Sequence, residues 1–173
     1  MTVTLVVTVK ANVDVSVILQ GSGRPDDGWI VPLTVKFFTP GADVLTDTPL
    51  YTADNLTTFK NGSFAVAQAS GILPGTYDIS AVSPHCLTNV KSGVAITVST
   101  TAVNLGTLLE GDANDNNIIN IADFGILAAT YGKISNDIGY DAQADFDRNG
   151  IINIADFGLL AANYSKSAPV VVP

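Results

Sequence analysis

Two thirteen-residue segments of this chain are nearly the same. Asn120-Ile-Ala-Asp-Phe-Gly-Ile-Leu-Ala-Ala-Thr-Tyr-Gly132 lies over Asn153-Ile-Ala-Asp-Phe-Gly-Leu-Leu-Ala-Ala-Asn-Tyr-Ser165, 33 residues further on, with ten of thirteen positions identical. A duplication of this length implies one small structural unit built twice, with the copies packed on each other. Within each copy the apolar residues recur at helical spacing. Ile121, Phe124, Leu127, Ala128 and Tyr131 share one stripe, as do Ile154, Phe157, Leu160, Ala161 and Tyr164. Two short helices are therefore expected.

A run of oxygen-bearing residues opens each copy. In residues 112–123 and 145–156, such side chains stand at the first, third, fifth, ninth and twelfth places. They are Asp112, Asn114, Asn116, Asn120 and Asp123 in the first run, and Asp145, Asp147, Asn149, Asn153 and Asp156 in the second. Calcium takes six to eight hard oxygens, and a twelve-residue EF-hand-type loop supplies them on alternating residues, with a backbone carbonyl from the seventh place. That carbonyl would come from Ile118 and Ile151. Gly150 stands at the sixth place, where the loop turns sharply; Asn117 holds the same place in the first loop and also tolerates the left-handed region. Asp and Asn cap helices as well, but two copies of the same spaced set favour two bound calcium ions. The charge agrees: residues 109–173 carry nine acids and three bases, and fifteen of the sixteen acids in the chain are Asp. Solvated helices would favour Glu, the better helix former; Glu110 is the only one.

Residues 1–108 read as a β-sandwich of immunoglobulin-like size. Short β-branched runs are expected as strands at residues 3–9, 13–19, 33–38, 63–67, 76–83, 94–98 and 103–108, with turns such as Pro40-Gly41, Asn61-Gly62 and Pro74-Gly75 between them. Asn61-Gly62 suits a two-residue hairpin. The fold class is then multidomain: an all-β antiparallel sandwich at residues 1–108, a small α module with two calcium loop-helix repeats at 109–166, and a tail or linker at 167–173.

Several functions are excluded. A net charge of −8 leaves no basic footprint for nucleic acid. No stretch of about 18 apolar residues can cross a membrane, the single Cys86 permits no internal disulfide, and the alternating first ten residues do not read as a signal peptide. One His cannot form a triad, and neighbouring His85 and Cys86 would point to opposite faces of a strand. Trp29 lacks aromatic neighbours and is read as core or module interface more readily than as a sugar platform.

The two loop-helix copies resemble type I dockerins, the cohesin-binding modules of cellulosomal and other secreted proteins. Each loop ends in Asp, and each is followed by one helix. The resemblance implies two calcium ions, an extracellular or cell-surface setting within a larger secreted protein, and a cohesin domain as partner. It implies no catalysis. By position, the partner face would comprise Ile121, Ala122, Ala128, Ala129 and Lys133 with Ile154, Ala155, Ala161, Ala162 and Lys166. The repeat would allow a partner to bind in either of two orientations. Gly71-Ile-Leu-Pro-Gly-Thr-Tyr-Asp-Ile79 is similar to the turn and strand of carboxypeptidase regulatory-like and Cna-B-like sandwiches, which also precede dockerins as accessory X modules. Two other roles remain open: a calcium-stabilised cap packed on its own sandwich without a partner, or a carbohydrate-binding sandwich of a secreted glycan-active enzyme.

Overall fold

The structure, a computed structural model, describes residues 9–61 and 64–173. Alternation builds the sandwich. Along β1 (Ala11–Leu19) every second side chain, from Ala11 to Leu19, is buried, while Asn12 and Asp14 face outward. β2 (Pro32–Phe38), β3 (Tyr51–Thr57), β4 (Phe59–Asn61), β5 (Phe64–Ile72), β6 (Gly75–Val82), β7 (Asn89–Ile96) and β8 (Thr101–Leu108) follow. They form two sheets, in the orders β4-β5-β1-β8 and β3-β2-β6-β7-β9, where β9 is Val170–Val171. Between the sheets lies one apolar core that includes Val13, Val15, Leu33, Phe37, Ile79 and Leu105. The rings of Phe37, Tyr51 and Tyr77 meet edge to face at one end of it, with centroids 5.9–6.4 Å apart.

The sandwich corrects the expectation of a purely antiparallel architecture. β1 pairs with β8 in parallel, and β7 pairs with β9 in parallel. Parallel neighbours need a long crossover, and β1 and β8 stand at opposite ends of the sandwich sequence. Residues 3–9 lie, except for Val9, outside the described residues, and so does Gly62 of the expected hairpin. Val9 itself is not in a strand.

Two ten-residue helices follow, α1 (Ile121–Thr130) and α2 (Ile154–Asn163). Their inner faces share a second core of Ala113, Ile119, Leu127, Ala144, Phe146, Ile152 and Leu160, joined by Leu87 from the sandwich. A reciprocal pairing closes this unit. Ile118 bridges Ser167 and Ile151 bridges Ile134, antiparallel in both cases. The partners are related by the same 33-residue offset, so the backbone carries the approximate two-fold that the repeat implies. Residues 167–173 are not a free tail. Val170 and Val172 donate their N–H groups to the carbonyls of Thr88 and Val90, and the chain ends as an edge strand of the sandwich.

Candidate functional site

Each loop is shaped by its first and last aspartates. Asp112 accepts from the N–H groups of Asn116 and Asn117 at 3.0 and 2.6 Å, and Asp145 accepts from those of Asn149 and Gly150 at 3.1 and 2.8 Å. At the far end Asp123 accepts from Asn114 and Asn120, while Asp156 accepts from Asp147 and Asn153. The bond from the ninth-place N–H to the twelfth-place carboxylate also completes a capping box. Asn120 and Asn153 cap α1 and α2 with their side chains, and Asp123 and Asp156 reach back. Loop closure and helix initiation thus use the same residues. Asn117 takes φ 65° where Gly150 takes φ 82°, as the sequence led us to expect. The carbonyls of Ile118 and Ile151 each accept from the side-chain amide two residues on, Asn120 and Asn153.

Burial acts on the carboxylates of both loops. Asp112, Asp123, Asp145, Asp147 and Asp156 are all buried. Burial pushes Asp112 up to about 6 against two backbone N–H donors, and the neighbouring Asp123 charge adds to the shift. Asp156 is likewise raised to about 6 by burial, with Asp147 and Asp145 adding repulsion, and burial raises Asp147 too. Carboxylate oxygens of Asp145, Asp147 and Asp156 lie within 4.8 Å of one another. Two oxygens across a calcium ion stand about 4.6–5.2 Å apart, twice the usual Ca–O distance. The donor set of the second loop therefore fits a calcium ion. The first loop offers two carboxylates, Asp112 and Asp123, with amide oxygens from Asn114, Asn116 and Asn120.

Every residue expected on the partner face lies at the surface or close to it. Ile121 and Ile154 are exposed by 67% and 68%. Ala122, Ala128, Ala129, Ala155, Ala161, Ala162 and Lys166 are exposed, and Lys133 is half-buried. The sandwich does not cover this face. Gly125 and Gly158 lie in it with no atom near where a Cβ would stand. Phe124 and Phe157 meet edge to face at 6.2 Å, linking the two helices.

Sequence reasoning missed how the loops are tied to the sandwich. Residues 83–88 run between the two loops. Asp115 and Asn117 of the first loop accept from the N–H groups of His85 and Thr88, and Arg148 of the second donates to the Pro84 carbonyl at 3.1 Å. Arg24, fully buried, pairs with Glu110 at 2.6 Å and donates to the carbonyls of Phe146, Gln20 and Gly28. Burial raises the Glu110 carboxyl to about 7 against the pull of Arg24. Asn163 donates to the Gln20 side chain and to the Glu110 carbonyl. Gly21, at φ 108°, lets the backbone come so close that a Cβ there would stand 2.7 Å from Cβ of Asp147. The one signal in the sequence was Glu110 itself, the lone Glu beside the module boundary.

The two other candidates from the sequence are structural. His85 lies in a turn, and Cys86 beside it forms an isolated antiparallel bridge with Glu110; Cys86 is buried in the sandwich core, where burial raises its thiol pKa well above the ordinary value. Trp29 is only 9% exposed, with the Lys60 ammonium 5.8 Å above its ring, so it offers no platform for a sugar.

No family model matches the chain, and no curated protein matches it. Solved structures do. A C-terminal interface mutant of a type II cohesin–X–dockerin complex from Acetivibrio cellulolyticus contains a chain that superposes with a TM-score of 0.63 at 18% identity, covering 91% of this chain and 97% of that one. The N-terminal interface mutant gives 0.62 at 19%, covering 91% and 96%. A type II cohesin–dockerin domain from Bacteroides cellolosolvens is 35% identical over 35% of this chain and 90% of that chain, with a TM-score of 0.29. The chain thus has the fold, a β-sandwich with two helices, of a component of a cohesin–X–dockerin complex. Among the described residues, no helix is long and apolar enough to cross a membrane.

Proposed function

We propose that this chain is a non-catalytic attachment module: an X-like sandwich carrying a dockerin-like pair of calcium loops, which docks its exposed helical face on a cohesin of another protein. The observation that carries this reading is the pairing of two features in each repeat. Buried aspartates close the loop, and the helix that they initiate presents an uncovered face of Ile, Ala and Gly. Asp112, Asn114, Asn116, Asn120 and Asp123, with the Ile118 carbonyl, would hold one calcium ion. Asp145, Asp147, Asn149, Asn153 and Asp156, with the Ile151 carbonyl, would hold the other. Calcium supplies the positive charge that lets these carboxylates stay ionised while buried. The protein's own residues then fix the start of each helix and so the height and angle of Ile121 and Ile154.

Capture on immobilised cohesins, in calcium and in chelator, tests the reading. The full chain should be retained by a cohesin in calcium and released by chelator. Retention by dockerins instead would place the interaction on the sandwich and make the chain the receiving side. A cap without a partner would be retained by neither.

A further inference from the structure

We propose a second, independent binding site on the outer face of the sandwich, built for a neutral glycan. Strand register brings its residues together. Phe59 of β4 stands opposite Val66 of β5, and Val66 stands opposite Ser16 of β1. In the next row Gln68 stands opposite Asp14, and Asp14 opposite Ala102 of β8. All six point away from the core, because the alternate residues on each strand are the ones that fill it. Large and small residues shape the surface. Phe59 stands up at the edge with 60% of its surface exposed, Ser16 and Ala102 are short, and the groove that results holds about 380 Å³. That volume suits one or two sugar rings.

The chemistry of the lining selects the ligand class. An exposed phenyl ring offers a flat apolar face, on which the C–H face of a pyranose can lie. Beside it the Gln68 amide donates to one carboxylate oxygen of Asp14 at 2.6 Å. The bond fixes both groups and leaves the other Asp14 oxygen and the Gln68 carbonyl free to accept from neighbouring hydroxyls. Ser16 and Asn61 add further polar contacts along the groove. Among the described residues no Lys or Arg lines it, so a phosphate or uronate would meet the Asp14 carboxylate with no cation to offset it. A peptide strand could instead pair with the edge of β4, but that mode needs neither the ring nor the Asp14–Gln68 pair. The site shares no residue with the helical face.

Affinity electrophoresis and calorimetry of the full chain against soluble neutral polysaccharides (glucan, xylan and mannan), with polygalacturonate as the anionic control, test this proposal. At least one neutral polymer should retard the protein. Phe59→Ala and Asp14→Ala should each weaken binding by tenfold or more. Both side chains are at the surface, so calcium-dependent circular dichroism and the melting temperature should stay at wild-type values. Three outcomes would overturn the site: no binding to any neutral polymer, binding unchanged in Phe59→Ala, or a preference for polygalacturonate. Concentration-dependent dimerisation abolished by Phe59→Ala would assign the groove to a second copy of this chain instead.

Discussion

Asn163 and Thr130 hold equivalent places in the two repeats, yet they do different work. Thr130 bonds back to the Ile126 carbonyl inside its own helix, whereas Asn163 joins α2 to Gln20 and to the Glu110 backbone. Leu159, which replaces Ile126, lies against Gly21 of the sandwich. Read from sequence these differences look like small drift between copies; in the fold they mark where the second repeat meets the sandwich. Asn163→Thr should therefore destabilise the chain by about 1–3 kcal/mol, the cost of leaving a buried polar partner unmet, as measured by denaturant unfolding in calcium. The loop aspartates give a pH dependence. Asp112 and Asp156 hold their protons up to about 6, above the ordinary Asp value. A raised folded pKa means that the metal-free fold binds more protons than the unfolded chain, so its stability is greatest in acid and falls as pH rises through about 6. Calcium requires the ionised form and reverses the trend. In chelator the melting temperature at about pH 5 should exceed that at about pH 7.5, and in calcium the order should invert. A chelated protein that grows more stable toward neutral pH contradicts this.

At the level of elements, the loops and helices were legible because their determinants are local. Spaced oxygens, a capping Asn and an i, i+3, i+4 stripe all lie within about twenty residues, and duplication repeats the message. The strands that escaped reading have the opposite character. β3 is an edge strand with Asp54 and Asn55 in its middle, and Asn55 breaks its register with φ 50°. β4 is three residues long, and β9 exists only because β7 lies ready to pair with it. None of these announces itself by alternation. The loops themselves should not bind equally. The second gathers three carboxylates where the first has two, and ligand charge tunes calcium affinity. Asp156→Ala should therefore abolish the tighter site and Asp123→Ala the weaker one. Calorimetric titration decides the order; a tighter surviving site in Asp156→Ala would reverse it.

On the scale of the whole molecule, the boundary at residues 108–109 is a change of architecture and not a hinge. Leu87, Leu109 and Val170 enter the core of the helical unit, and the Arg24–Glu110 pair lies wholly buried at the joint. Distant pairings of this kind leave no periodic trace in sequence, and only the lone Glu110 at the boundary hinted at them. Sandwich and helices should melt in one calorimetric transition in calcium. Arg24→Met, which leaves the Glu110 carboxylate without its partner, should cost about 3–5 kcal/mol and weaken the coupling between the two parts.

The rigid joint leaves the helical face free, with Ile121 and Ile154 equally exposed on either side of the approximate two-fold. A cohesin fitted to one helix should then fit the other after half a turn. Calorimetric titration of a cohesin that captures the chain in calcium, with Ala128→Asp, Ala161→Asp and the double variant, tests this most directly. The account predicts one-to-one binding, a loss of no more than about tenfold in either single variant because the other face remains, and no binding in the double variant, which would bury unpaired charge in both orientations. Wild-type affinity in a double variant that still folds on calcium would contradict it.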